Sequence, residues 1–95
     1  MVGDLASFDA DTPVGWAETA ISTEIDGELV ALDVTKGVCY GLNRMGTRIW
    51  HLLETPRSAR QIADVLTSEF DVEPDICLQQ TTDLLRELAV AELVR

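Results

Sequence analysis

The sequence predicts an α+β domain in which a three-stranded antiparallel sheet is followed by three helices, a winged-helix-like order. Three observations carry this reading. Residues 20–42 hold three strand-length apolar runs separated by the turn signals Asp26-Gly27 and Thr35-Lys36-Gly37. Residues 44–90 then change to apolar spacings of three and four, interrupted at Pro56 and again before Pro74. With 95 residues, 46% of them hydrophobic, the chain can bury one core and not two.

Residues 1–19 follow neither period. Asp4, Asp9, Asp11 and Glu18 stand among Gly, Ala, Thr and Pro13, which predicts a mobile arm ahead of a folded domain over residues 20–95. Phe8 and Trp16 are its aromatic groups, and each can fold back onto the domain or onto a neighbouring chain. From Ala20 to Ile25, Ile21, Thr23 and Ile25 alternate with Ser22 and Glu24, a strand with one wet face. Asp26-Gly27 supplies the two positions at which the favoured hairpin turn needs positive φ. Glu28 to Val34 is nearly continuous in Leu29, Val30, Ala31, Leu32 and Val34, as expected of a middle strand with little exposed face. After the second turn, where Gly37 can take a left-handed conformation, Val38, Tyr40 and Leu42 alternate with Cys39 and Gly41 in a strand left at the sheet edge.

Asn43 immediately precedes a helical pattern and can cap its free N–H groups. Met45, Ile49, Trp50, Leu52 and Leu53 form that helix's apolar stripe, which fades at Glu54-Thr55-Pro56 because proline disfavours a helical residue before it. Ser58 opens the second helix, with Ile62, Ala63, Leu66 and Phe70 as its stripe and Asp71 at its end. The third starts near Glu73-Pro74, where proline's missing N–H costs nothing, and runs to about Val90. Cys77, Leu78, Thr81, Leu84, Leu85 and Leu88 gather into its core arc. Ile76 falls outside that arc, on a flank shared with Gln80, Asp83 and Glu87. It either lines a pocket or covers the helix end. Leu93-Val94 forms a short terminal strand or simply covers the core.

Several function classes lose ground on composition and spacing. Seventeen acidic residues against seven basic ones leave a net charge of −10, a field that repels phosphate backbones and admits a basic peptide. The third helix, which would be the reading helix of a DNA-binding motif, carries Asp75, Asp83 and Glu87 against Arg86, so no nucleic-acid partner is expected. Cys39 and Cys77 match no metal spacing and read as small apolar residues. His51 has no nucleophile, carboxylate pair or second metal ligand placed beside it by spacing, and no glycine pattern cradles phosphate; no catalytic residue, metal or cofactor is expected. The chain shows no membrane-spanning run and no signal-peptide pattern, so a cytoplasmic protein is expected.

What remains is peptide binding at the sheet edge. An unpaired strand offers a row of N–H and C=O groups that a partner chain can use. Cys39 and Gly41 are small enough to let an incoming chain's side chains sink towards the third helix. The expected peptide-binding residues are therefore Val38, Cys39, Tyr40, Gly41 and Leu42 on the strand, with Ile76, Gln80, Asp83, Leu84 and Glu87 on the helix. Alternation also allows Tyr40 to turn into the core.

Gly27-Glu28-Leu29-Val30-Ala31-Leu32-Asp33, Gly37-Val38-Cys39-Tyr40-Gly41-Leu42-Asn43 and Gly46-Thr47-Arg48-Ile49-Trp50, with Leu52-Leu53, Ile62-Ala63 and Asp71-Val72, resemble the PqqD-like family of RiPP recognition elements. Within it, the Tyr-Gly-Leu-Asn and Gly-x-Arg-Ile-Trp segments look most like the stand-alone leader-binding proteins of lasso-peptide biosynthesis. The resemblance covers roughly Ile21 to Val94. It implies a non-catalytic adaptor to which a precursor leader peptide adds antiparallel to the third strand, in a groove walled by the third helix. It also implies a separate, transglutaminase-like leader peptidase and a cyclase as partners. Lasso leaders tend to carry Tyr-x-x-Pro-x-Leu, which implies aromatic and aliphatic pockets. Where many relatives have Gly after the third helix this chain has Ala91-Glu92, which implies a short or absent terminal wing. Recognition of another modified peptide, such as a pyrroloquinoline quinone precursor, and an acidic winged-helix regulatory module are the rival readings.

Overall fold

A computed structural model describes residues 9–95. Strands β1 (Ala20–Ile25), β2 (Glu28–Asp33) and β3 (Val38–Leu42) form an antiparallel sheet in the order β1-β2-β3. Helices α1 (Arg44–Leu52), α2 (Ala59–Glu69) and α3 (Pro74–Val90) follow. The expected α+β, winged-helix-like architecture is the one observed, with β2 central and β3 at an edge.

Local chemistry explains the boundaries. Asp26 and Gly27 have φ of 56° and 81°, positive at both central positions of the first hairpin. The second turn is organised by Asp33, only 2% exposed, whose carboxylate accepts from the N–H groups of Thr35 at 2.9 Å and Lys36 at 3.2 Å and from the Thr19 hydroxyl at 3.1 Å. Burial pushes the Asp33 carboxyl up, but these bonds outweigh it and hold the group below its usual range. Asn43 caps α1 by accepting from the Gly46 N–H at 2.9 Å, and Ser58 caps α2 in a reciprocal box with Gln61. Pro74 sits in the first turn of α3.

One layer of helices packs against one face of the sheet. Trp50, Leu53, Ile62, Leu66, Leu85, Leu88 and Leu93 are almost wholly buried between them. Leu29, Ala31 and Asp33 face this layer from β2, and the register places Leu42, Tyr40 and Val38 of β3 on the same side.

The register also inverts one expectation. Ile21 pairs with Leu32, Thr23 with Val30 and Ile25 with Glu28, so the apolar side of β1 points away from the helices, and both sides from Ile21 to Ile25 are exposed. Ile21 is 53% and Ile25 67% exposed. On the helix side, Ser22 Oγ accepts from Trp50 Nε1 at 3.3 Å, and Glu24 meets His51 Nε2 at 2.7 Å. The Trp50 indole thus stands against the helix side of β1, at Ser22. The hairpin register brings one carboxylate, Glu24, to His51, which sequence spacing does not show. The middle strand likewise has an outer side, where Val30 and Leu32 are half-buried.

The expectation of a mobile arm does not extend to residues 14–17. Val14 exchanges backbone hydrogen bonds with Arg57 at 2.9 Å, Gly15 exchanges them with Arg95 at 2.8 and 2.9 Å, and the Ala17 N–H donates to Leu93 at 2.9 Å. Trp16 folds back onto the domain, stacking on Trp50 with ring centroids 5.6 Å apart and donating from Nε1 to the Trp50 carbonyl at 2.8 Å. Apolar burial explains the docking, since Val14 and Ala17 are each 4% exposed. Phe8 and the rest of residues 1–8 lie outside the described residues. Val94 pairs with Trp16 as a single bridge, while Leu93 and Val94 cover the core. Glu92 takes the left-handed conformation, φ 61°, that usually calls for glycine after a helix.

Candidate functional site

β3 has β2 on one edge and no strand on the other among the described residues. Beyond that free edge runs α3. The two elements lie antiparallel to each other: Leu42, at the end of β3, shares a recess with Ile76 and Cys77 near the start of α3, whereas Tyr40 Oη reaches forward to donate to Glu87 near the helix's end. The bond to Glu87, burial and the carboxylate's charge all raise the Tyr40 pKa above its usual value. The cleft between strand and helix is thereby divided at Tyr40, which lines both halves.

The first half is a recess of about 550 Å³. Its floor is made of the buried side chains Ile49, Leu66, Cys77 and Thr81, and its rim of Met45, Val72, Ile76 and Leu84. Ile76 is 56% exposed, so this apolar surface is open to solvent. Gln80 and Glu73 supply polar atoms at the margin. The second half, shallower and more open, is lined by Tyr40, Asp83, Arg86, Glu87, Val90 and Ala91. Two carboxylates there face one guanidinium, and Asp83 accepts from Gln79 Nε2 at 3.1 Å.

Of the residues expected from sequence, Tyr40, Gly41, Leu42, Ile76, Gln80 and Leu84 are brought together around the first recess, and Asp83 and Glu87 around the second. Val38 and Cys39 line neither. The idea that Cys39 and Gly41 open a way towards the helix is corrected by the register. They pair with Leu32 and Val30, whose side chains leave the sheet on the side away from the helices. A side chain added at Gly41 would meet nothing within 4 Å. Gly41 therefore contributes backbone to the recess, while Tyr40 and Leu42 contribute side chains. Sequence reasoning missed Met45 and Val72 as rim and assigned Cys77 and Thr81 only to the core. The usable signal was that a core arc running beside an exposed apolar flank also forms a groove floor.

Such a site can hold an extended chain. Backbone groups of β3 stand ready for strand addition, an apolar recess accepts a side chain, and the acidic half accepts a cation. Among the described residues, no group of three His, Cys, Asp or Glu side chains could share a metal ion. No described helix is long and apolar enough to cross a membrane.

Comparison with known proteins agrees with this geometry. The family model for coenzyme PQQ synthesis protein D (PqqD) matches residues 28–94. Among solved structures, the chain is similar to TbiB1 in complex with the TbiA(beta) leader peptide, with 33% identity and a TM-score of 0.78 over 85% of this chain and 94% of that one. It also resembles a lasso peptide synthetase B1 complexed with its leader peptide, at 23% identity and TM-score 0.76, covering 86% and 96% of the two chains. A third similar structure is the PqqD truncation of Methylobacterium extorquens PqqCD, a stand-alone RiPP recognition element. It shares 16% identity and a TM-score of 0.79 over 97% of this chain and 98% of that one. No curated protein matches the chain significantly.

Proposed function

Because the chain belongs to the PqqD family, we propose that it is a non-catalytic adaptor that binds the leader of a ribosomally made precursor peptide. The leader adds as a strand antiparallel to β3 and lies in the cleft under α3. One observation carries the reading: the free edge of β3 runs beside an apolar recess with an exposed rim, at the height where an added strand's inward side chains would stand. Val38 to Leu42 supply backbone hydrogen bonds, and Ile76, Gln80, Leu84, Asp83 and Glu87 supply selectivity. A short added strand with two or three pocketed side chains binds with about −8 to −10 kcal/mol, a micromolar to sub-micromolar affinity.

The leader class we favour is the lasso type. Identity of 23% to a lasso peptide synthetase B1 complexed with its leader peptide, against 16% to the PqqD truncation of PqqCD, supports it. A PQQ-type precursor is the second reading, supported by the family model.

An adaptor needs a catalyst to serve, and the outer sheet face suits one. Ile21, Thr23, Ile25, Val30, Leu32, Cys39 and Gly41 occupy that face with Glu28 as the one charge among its described strand positions, in a chain carrying −10 overall. A second copy would bring the same charge and be repelled, whereas a separate leader peptidase with an apolar, basic-rimmed surface would be attracted. A leader added to β3 would extend the same sheet, so the peptidase seated on this face would also touch the leader's outward side chains.

The test is an amide NMR titration with two synthetic peptides, a lasso-type leader carrying Tyr-x-x-Pro-x-Leu and a PQQ-type precursor. Shifts concentrated in 38–42 and 76–87 with the lasso leader are expected. A preference for the PQQ-type peptide would move the assignment to that class, and silence with both would remove the adaptor reading.

A further inference from the structure

Building on leader binding in this cleft, we propose that the protein selects leaders in which a bulky apolar side chain is followed four residues later by lysine or arginine. Polarity comes first. Since α3 runs opposite to β3, a strand antiparallel to β3 travels in the same direction as α3. Its N-terminal part then lies by Leu42, Met45 and Ile76, over the apolar recess. Its C-terminal part lies beyond Tyr40, by Asp83, Glu87 and Val90. The order of subsites along the peptide is therefore apolar, then cation-accepting.

Spacing follows from the two repeats. From the recess floor, between Cys77 and Thr81, to Glu87 is about eight residues of helix, or about 12 Å. An extended strand rises about 3.3 Å per residue and returns a side chain to the same face every second residue, so four residues cover about 13 Å and two only about 7 Å. Four is the match. Chemistry completes the choice. Val90, 64% exposed, and Ala91 form the apolar side of the second recess and can carry the aliphatic stem of lysine or arginine, while Glu87 and Asp83 receive its charged head. Arg86 pairs with Asp83 at 3.7 Å, which leaves Glu87, bonded to the neutral Tyr40 hydroxyl, as the principal acceptor.

The experiment is selection of a display library of random 15-residue peptides on the whole protein and on its Glu87→Arg and Glu87→Gln variants. Glu87 is exposed, so neither change touches the core. The wild-type protein should enrich a large apolar residue with Lys or Arg four positions C-terminal to it. Glu87→Gln should lose the basic preference, and Glu87→Arg should replace it with Asp or Glu, both keeping the apolar one. In a selected peptide, Lys→Glu at that position should weaken binding roughly five- to tenfold at low salt. A basic preference that is absent, that lies on the N-terminal side, or that survives both variants overturns the proposal. In those cases the leader reading still stands if the selected peptides shift β3 amides. Peptides that leave β3 undisturbed, or a library with no binders, would sink both.

Discussion

The two faces of the sheet are both apolar and both partly exposed, yet they differ in shape and charge. Towards the helices, Tyr40 and Leu42 open onto a concave cleft with a buried floor and an acidic end. Away from them, Ile21, Ile25, Val30 and Leu32 form a partly exposed surface on which Glu28 is the one charge among the described strand positions. On the proposed reading, the cleft takes the side chains of one extended chain and the outer face meets a folded partner. Alternation along three short strands would then give one small sheet two recognition tasks that do not compete for the same atoms.

This division can be broken deliberately. The largest effect is expected for Ile76→Asp, which puts an unpaired charge on the recess rim. Leader affinity measured by fluorescence anisotropy should fall at least tenfold, or about 1.4 kcal/mol and more, with the melting temperature nearly unchanged because the residue is half exposed. Next comes Ile21→Asp combined with Ile25→Asp. Leader affinity should stay within about twofold, while leader cleavage by the separate peptidase, assayed with the adaptor present, should slow by roughly tenfold. If the double variant weakens the leader and spares cleavage, the roles of the two faces are reversed. The smallest effect is expected for Gly41→Val. Its new side chain stands in open space on the outer face, so leader affinity should change less than about threefold, and the added β-branched residue should favour the strand by up to about 1 kcal/mol. A severe loss of leader binding in that variant would mean that the outer side of β3 lies within the docking site.

Much of this was legible in the sequence because local chemistry dictates it. Asp26-Gly27, Asn43, Ser58 and Pro74 are each committed by backbone requirements to a turn or a helix start, and all four stand where their chemistry puts them. The flank of Ile76, Gln80, Asp83 and Glu87 was legible as well, since helical periodicity separates it from the core arc. The facing of β1 was not. Period two says that Ile21 and Ile25 share a side but not which side meets the helices, and only pairing with β2 decides that. The same parity misplaced Cys39 and Gly41. Sequence left open whether Trp16 folds back onto the domain and did not show the docking of Val14, because the partners, Arg57 and residues 93–95, lie far along the chain and leave no local period to read.

That last feature also bears on how the molecule is made. Gly15 and Arg95 exchange backbone bonds across almost the whole described chain, so this pairing forms only after the helices between them have been made. The hairpins and capped helices close short loops, whereas this pairing must overcome the entropy of a loop through the entire domain. During synthesis it waits for Arg95. The Trp16–Trp50 stack needs no residue beyond 50, so the indole pair can form first and hold Gly15 near the place where Arg95 later pairs with it.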